Sequence, residues 1–140
     1  MLVRSFQLSD YVAVTRVLQS VLSEECYTET IGAIAKQLSW DSELVLVAER
    51  EQEIVGVIIG TIDDNQGYYY RIAVHNDHQR QGIGKAMIES LKQRFKQRQV
   101  SRILITVDEH NEPILPVYES AGYRQADFLK PRKQLSIVNG

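Results

Sequence analysis

The hydrophobic period changes repeatedly along this chain, and those changes restrict its fold more than any other feature. Residues 44–48, 54–62 and 68–74 are three successive β-type runs. A charged stretch at 49–53 and the turn chemistry of Asp63-Asp64-Asn65-Gln66-Gly67 separate them. Runs so closely spaced predict an antiparallel meander. Before them the spacing is helical. Val14, Val17, Leu18, Val21 and Leu22 share one stripe behind Ser9, which has the chemistry of an N-cap. Residues 24–28 read as a break, and Ile31, Ile34, Ala35 and Leu38 form a second, shorter stripe weakened by Gly32. Residues 2–6 read as a short first strand.

After the meander the helical period returns from Gly82 to about Gln97, turning Ile83, Met87, Ile88, Leu91 and Phe95 inward. Residues 102–107 form another strand, whose continuous Ile103-Leu104-Ile105 run suits burial on both faces. Strand, helix and strand in that order are the parts of a right-handed crossover. A short helix should end at Ala121, with Gly122 as its left-handed cap and Tyr123 as the apolar contact after it. Residues 124–129 and 134–138 read as a final hairpin around Pro131. The expected order is β-α-α-β-β-β-α-β-α-β-β, an α/β chain with a twisted mixed sheet flanked by helices.

No repeat or linker divides the 140 residues, so a single domain spanning 1–140 is expected. At this size about two-thirds of the unfolded surface is buried, enough for a core without staples. Sixteen Lys and Arg against eighteen Asp and Glu give a net charge of −2, which removes the footprint of a general nucleic-acid binder. The lone Cys26 rules out an internal disulfide framework. The most apolar run, 54–62, is far shorter than the roughly twenty residues of a membrane span. Residues 1–10 lack the apolar run of a signal peptide. A cytoplasmic protein without membrane association is expected.

Chemistry concentrates where Gln79-Arg80-Gln81-Gly82-Ile83-Gly84-Lys85 joins a strand to a helix. Glycines there allow close approach of a ligand to the backbone. The helix start offers unpaired N–H groups and the positive end of its dipole, the makings of a pyrophosphate site. A P-loop would need Gly at position 79 and Ser or Thr after Lys85, where Gln79 and Ala86 stand. A dinucleotide fingerprint would need Gly at position 87, which is Met87.

The segment resembles the acyl-CoA loop of the GNAT superfamily of N-acetyltransferases, Gln/Arg-x-x-Gly-x-Gly/Ala. Gln79, Gly82 and Gly84 match it. Ile72-Ala73-Val74-His75 resembles the family's central strand, and Tyr118-Glu119-Ser120-Ala121-Gly122-Tyr123 resembles its later helix and turn. The resemblance covers the whole chain. It implies acetyl-CoA as co-substrate and transfer of its acetyl group to a primary amine. It further implies that backbone amides of Arg80, Gln81, Gly82, Ile83, Gly84 and Lys85 hold the pyrophosphate. The main chain of Ile72, Ala73 and Val74 would pair with the pantetheine, whose amides can act as a pseudo-strand. The side chains of Arg80 and Lys85 either add charge near phosphate or are simply solvated.

Tyr118 stands where many members carry a tyrosine serving as general acid to the thiolate, although a tyrosine there also suits core packing. Asn111 matches a pantetheine contact or is an N-cap, and Pro113 and Pro116 move the helix start toward Leu115. The strand at 68–74 holds no carboxylate to serve as base. Asp108, Glu109, His110, Glu24 and Glu25 are the alternatives, and a water relay is the default reading. His75, Asp77 and His78 make no complete ligand set, so no metal is expected. Glu24, Glu25 and Glu29 cluster where members shape their acceptor pocket. They would draw a cationic small-molecule or peptide amine, or line a solvated surface. The last hairpin leaves a homodimer open.

Overall fold

The computed structural model describes residues 1–129. A strand β1 (Leu2–Ser5) leads through a 3-10 turn (Leu8–Asp10) into helices α1 (Tyr11–Val21) and α2 (Glu24–Trp40). Strands β2 (Val45–Arg50), β3 (Glu53–Asp63) and β4 (Gln66–Val74) follow. Then come α3 (Ile83–Gln97), β5 (Arg102–Thr106), α4 (Leu115–Ser120) and β6 (Phe128–Leu129). The strands form one sheet in the order β1-β2-β3-β4-β5-β6. Pairing is antiparallel from β1 to β4 and parallel across β4–β5 and β5–β6. This is the expected mixed sheet, with its meander and crossover.

Two apolar layers cover it. Val14, Val17 and Leu18 of α1 and Ile34 of α2 pack on Val45, Val47, Val57 and Ile59. The inward residues of α3 named above pack on the other face with Leu46, Ile58, Tyr69 and Tyr118. Glycines let α3 lie close: a Cβ on Gly60 would stand 2.9 Å from both Leu91 Cδ2 and Phe95 Cζ. Strand propensity favours valine at such a position, but packing opposes it. Gly60→Val should therefore lower stability by about 1–3 kcal/mol. The measurement is a drop in the urea midpoint at unchanged slope.

Several boundaries depart from the sequence expectation. Ser9 is not the cap of α1: it lies inside the 3-10 turn. Asp10 fastens that entry, accepting from Gln7 N at 2.8 Å and from Arg4 Nη1 and Nη2 at 2.8 and 2.9 Å. Residues 24–28 are the first turns of α2 rather than a break. Ser23 Oγ caps them by accepting from Cys26 N at 3.2 Å, and Glu24 and Glu25 suit the positive end of the dipole. The 49–53 turn shrinks to Glu51 and Gln52, whose φ of 51° and 67° give the twist a tight hairpin needs.

The stretch from Arg124 is not a strand throughout. Gln125–Asp127 is a 3-10 turn, because Asp127 Oδ2 accepts from Arg124 N at 2.9 Å and competes with extended pairing. The two residues of β6 then pair parallel to β5, Ile105 opposite Phe128. The proposed strand at 134–138, and with it the hairpin and its dimer edge, lies outside the described residues. Among the described residues no helix is long and apolar enough to cross a membrane.

Candidate active site

Strands β4 and β5 pair from Gln66 opposite Arg102 to Tyr69 opposite Ile105, and then part. Two devices separate them. On the β3 side Ile59 faces Arg71 while Gly60 faces Tyr69, so Tyr70 is an extra residue that bulges β4. On the β5 side the amide of Asn111 enters the gap, where Nδ2 donates to Tyr70 O at 3.1 Å and Thr106 O at 2.7 Å. One side chain thus replaces the next rung of the ladder. Beyond it, among the described residues, no strand pairs with the β5-facing edge of β4 through Val74, whose carbonyl is met only by the Gln79 side chain.

A cleft of about 590 Å³ opens along that edge. Ile72, Ala73 and Val74 form one wall, Gly82, Ile83, Gly84 and Lys85 its end, with Gln79 and Arg80 beside them. Val21 and Leu22 at the end of α1, and His110, Ile114 and Val117 around α4, complete it. His110 is one of the candidate bases named from the sequence; the other four had no chemical signature there, and Val21 and Leu22 read only as part of an apolar stripe.

The loop into α3 is held by a backbone bond to β3 and by the Gln79 side chain. His75 N donates to Val55 O at 2.8 Å, and Gln79 Nε2 donates to Val74 O at 3.0 Å and Asn76 Oδ1 at 3.2 Å. Gln79 therefore braces the turn. Gln81 points elsewhere and accepts from Arg50 Nη1. Arg80 and Gly82 both have positive φ, 64° and 79°, a geometry in which successive N–H groups face one concavity. Gly82 occupies the N-cap position and, among the described residues, no side chain caps α3. Its first N–H groups are left without helical partners, at the positive end of the dipole. The first helical bond is Ala86 N to Gly82 O at 3.1 Å. A Cβ on Gly84 would stand 3.3 Å from Val117 Cγ1, so this glycine lets α3 and α4 close on one another.

Tyr118 lies behind the cleft, fully buried, with its ring 5.4 Å from that of Tyr69. Its hydroxyl has no hydrogen-bond partner among the described residues. Burial pushes the phenol above its ordinary value, and the positive charge of Arg71 pulls it partly back. Tyr69, by contrast, shares a 2.6 Å hydrogen bond with Tyr123, whose own phenol burial pushes up to about 12.

Arg71 is 1% exposed and donates from Nη1 to Asp108 Oδ1 and Oδ2 at 3.2 and 3.1 Å. Asp108 Oδ1 also accepts from His110 N at 3.0 Å and Asn111 N at 2.9 Å. Of the candidate bases, Asp108 is thus engaged, His110 lines the cleft, and Glu24 and Glu25 are exposed at the start of α2. His75 Nδ1 accepts from Asp77 N at 3.2 Å, and among the described residues no His, Cys, Asp and Glu side chains group as metal ligands.

A strand edge opened by a bulge, ending on an uncapped helix start, agrees with what comparison with known proteins finds. Residues 13–123 match the sequence model described as Acetyltransferase (GNAT) family. An acetyltransferase of Pectobacterium atrosepticum is 30% identical over 133 residues, 95% of this chain and 94% of that protein. Among solved structures, Ard1 from Thermoplasma volcanium superposes with a TM-score of 0.74 at 21% identity, covering 86% of this chain and 80% of that one. The PaiA N-acetyltransferase of Thermoplasma acidophilum, solved with coenzyme A, gives 0.71 at 17% identity over 88% and 89%. By its sequence over nearly its whole described length, and by the sheet that sequence folds into, the chain belongs to the GNAT family of acetyltransferases.

Proposed function

We propose that this protein is an acetyl-CoA-dependent N-acetyltransferase that moves the acetyl group directly to a primary amine in a ternary complex. The observation that carries the reading is the meeting of two unsatisfied backbone surfaces in one cleft: the open edge of β4 and the uncapped start of α3. An extended amide chain suits the first and a pyrophosphate the second. The coenzyme A held by PaiA supports the same use here.

Amides from Arg80 to Lys85 would hold the pyrophosphate, and the main chain of Ile72, Ala73 and Val74 would pair with the pantetheine. Asn111 acts first by holding the strands apart. Its Oδ1 is buried without a partner among the described residues and is the atom left to meet a pantetheine amide. Tyr118 keeps its proton because burial disfavours the phenolate. Its contribution would be a hydrogen bond to the departing sulfur, where negative charge develops. With β4 free of carboxylates and Asp108 engaged, waters would carry away the proton that the amine must lose. We place the enzyme in the cytoplasm as a single domain, with one free cysteine and no disulfide framework.

Release of CoA across a panel of primary amines tests the reading. Tyr118→Phe should slow turnover by about 10²-fold with acetyl-CoA affinity unchanged in calorimetry. It should fold as well as the parent, because the hydroxyl removed has no partner. An unchanged rate would remove Tyr118 from the chemistry. The absence of a carboxylate on β4 favours a second reading, a CoA-binding module with little transfer. Tight acetyl-CoA binding with no CoA release from any amine would select it.

A further inference from the structure

Among the described residues, the one buried charge near the cleft is only half used. Arg71 spends Nη1 on Asp108, while Nε and Nη2 are buried and meet no acceptor at hydrogen-bonding geometry among the described residues, the Tyr70 hydroxyl lying near enough only to interact with the guanidinium charge. These two nitrogens share one edge of the guanidinium, and their parallel N–H bonds match the two oxygens of a carboxylate. A buried donor left unmet costs free energy, so such an edge is a standing demand for an acceptor.

Its position is specific. The extra residue at Tyr70 puts Arg71 on the same side of the sheet as Tyr70, over whose ring the guanidinium carbon stands at 5.0 Å. That is the α1–α2 side, where Cys26 of α2 is close enough for the Arg71 charge to oppose the upward push of burial on its thiol. Along β4, Arg71 directly precedes Ile72, the first strand residue of the cleft lining, and lies just behind that lining. Asp108 precedes His110, which also lines it, and keeps 26% of its side chain exposed, so one end of the pair is open to approach. A thioester running inward along β4 from a pyrophosphate at Gly82 would end beside this pair.

We infer that Arg71 is a specificity residue whose free Nε–Nη2 edge binds a carboxylate carried by the acceptor close to its reactive amine. A single carbonyl oxygen would leave one of the two donors unmet, whereas a carboxylate takes both. Charge balance agrees. Arg71 and Asp108 already cancel, and an amine bearing one carboxylate enters as a neutral zwitterion, so no net charge is buried. The carboxylate is that of a free amino acid or of an acidic first residue in a peptide; a neutral peptide N-terminus or a lysine side chain lacks it. The inference rests on the acetyltransferase reading for the amine, but not for the anion site.

Matched pairs test it. Leucine is set against isoamylamine, lysine against cadaverine, and Asp-Ala-Ala amide against Ala-Ala-Ala amide, each titrated by calorimetry into the protein saturated with CoA and assayed for CoA release with acetyl-CoA. In at least one arm the carboxylate-bearing member should bind tenfold tighter or more, and that arm identifies the source. Because Arg71→Gln leaves Asp108 unpaired and risks misfolding, the companion variant is Arg71→Met with Asp108→Asn, which removes both charges. It should bind both members of the pair equally. Carboxylate-dependent binding without acetyl transfer would refute the transferase reading and leave the anion site standing. Binding or transfer within threefold across every pair, or no binding in any arm, overturns the site.

Discussion

Gly82→Asp is expected to weaken acetyl-CoA binding at least 100-fold while the protein remains folded. Gly82 has φ of 79° and ψ of 6°, and a Cβ added there would meet nothing within 4 Å. Space is therefore no obstacle, and the backbone cost of a left-handed residue is about 1–2 kcal/mol, smaller for Asp than for most residues. An aspartate at this position would also give α3 the capping acceptor it lacks, a favourable term of about 0.5–2 kcal/mol. Folding is thus nearly balanced. Binding is not, because the carboxylate would occupy the N–H groups that a pyrophosphate needs and would repel it. A loss of 100-fold equals about 2.7 kcal/mol. Gly82→Ala carries the strain without the charge and should lose tenfold at most. Calorimetry on both variants separates the terms, and equal losses would show that the left-handed backbone, rather than the anion site, governs binding.

The largest effect on stability should come from Asp108→Ala. Arg71 is buried and Asp108 is its only carboxylate partner among the described residues. Removing that partner strands a charge in the interior, which costs about 3–5 kcal/mol. His110 N would lose its acceptor as well, and Asn111 N, in the residue that separates β4 from β5, would keep only the backbone Asp108 O at 3.1 Å. Out of a usual total of about 5–15 kcal/mol this is a large share. Asp108→Asn keeps an acceptor oxygen for both amides and should lose less. Adding Arg71→Met to it removes the stranded charge and should recover most of the remainder. Urea denaturation of the series gives the order, and an alanine variant within 1 kcal/mol of the parent would show that the guanidinium is satisfied in some other way.

How much of this was legible in the sequence depended on the range of the interaction responsible. The meander, the crossover and the loop at 79–85 rest on local periods and turn chemistry, and all three stand in the fold. Tyr69 and Tyr70 face opposite layers as alternation requires, and Gly122 has the φ of 100° expected of a helix cap. Local chemistry also misleads where one residue type serves two ends. Glu24 and Glu25 read as a break, though acidic residues are at home in a first helical turn. Asp127 turned an expected strand into a 3-10 turn.

The site's inner wall was illegible for a different reason. The bulge at Tyr70 breaks the alternation that makes strands readable, and so conceals which way Arg71 points. Its bond to Asp108 spans 37 residues, and the amide of Asn111 reaches 41 residues back to Tyr70. Neither leaves a pattern in a window of neighbouring residues. Asn111 matched a ligand contact by resemblance alone, and its observed work is inside the sheet.

That amide has a kinetic consequence. Because Asn111 holds β4 and β5 apart through protein groups alone, a ligand does not have to force the strands open before it can bind. The cost of separating them belongs to folding and is met once, on the way to the native state. Association should accordingly be a single bimolecular phase at the roughly 10⁵–10⁷ M⁻¹s⁻¹ typical of docking to a ready surface, with no slow isomerisation ahead of it.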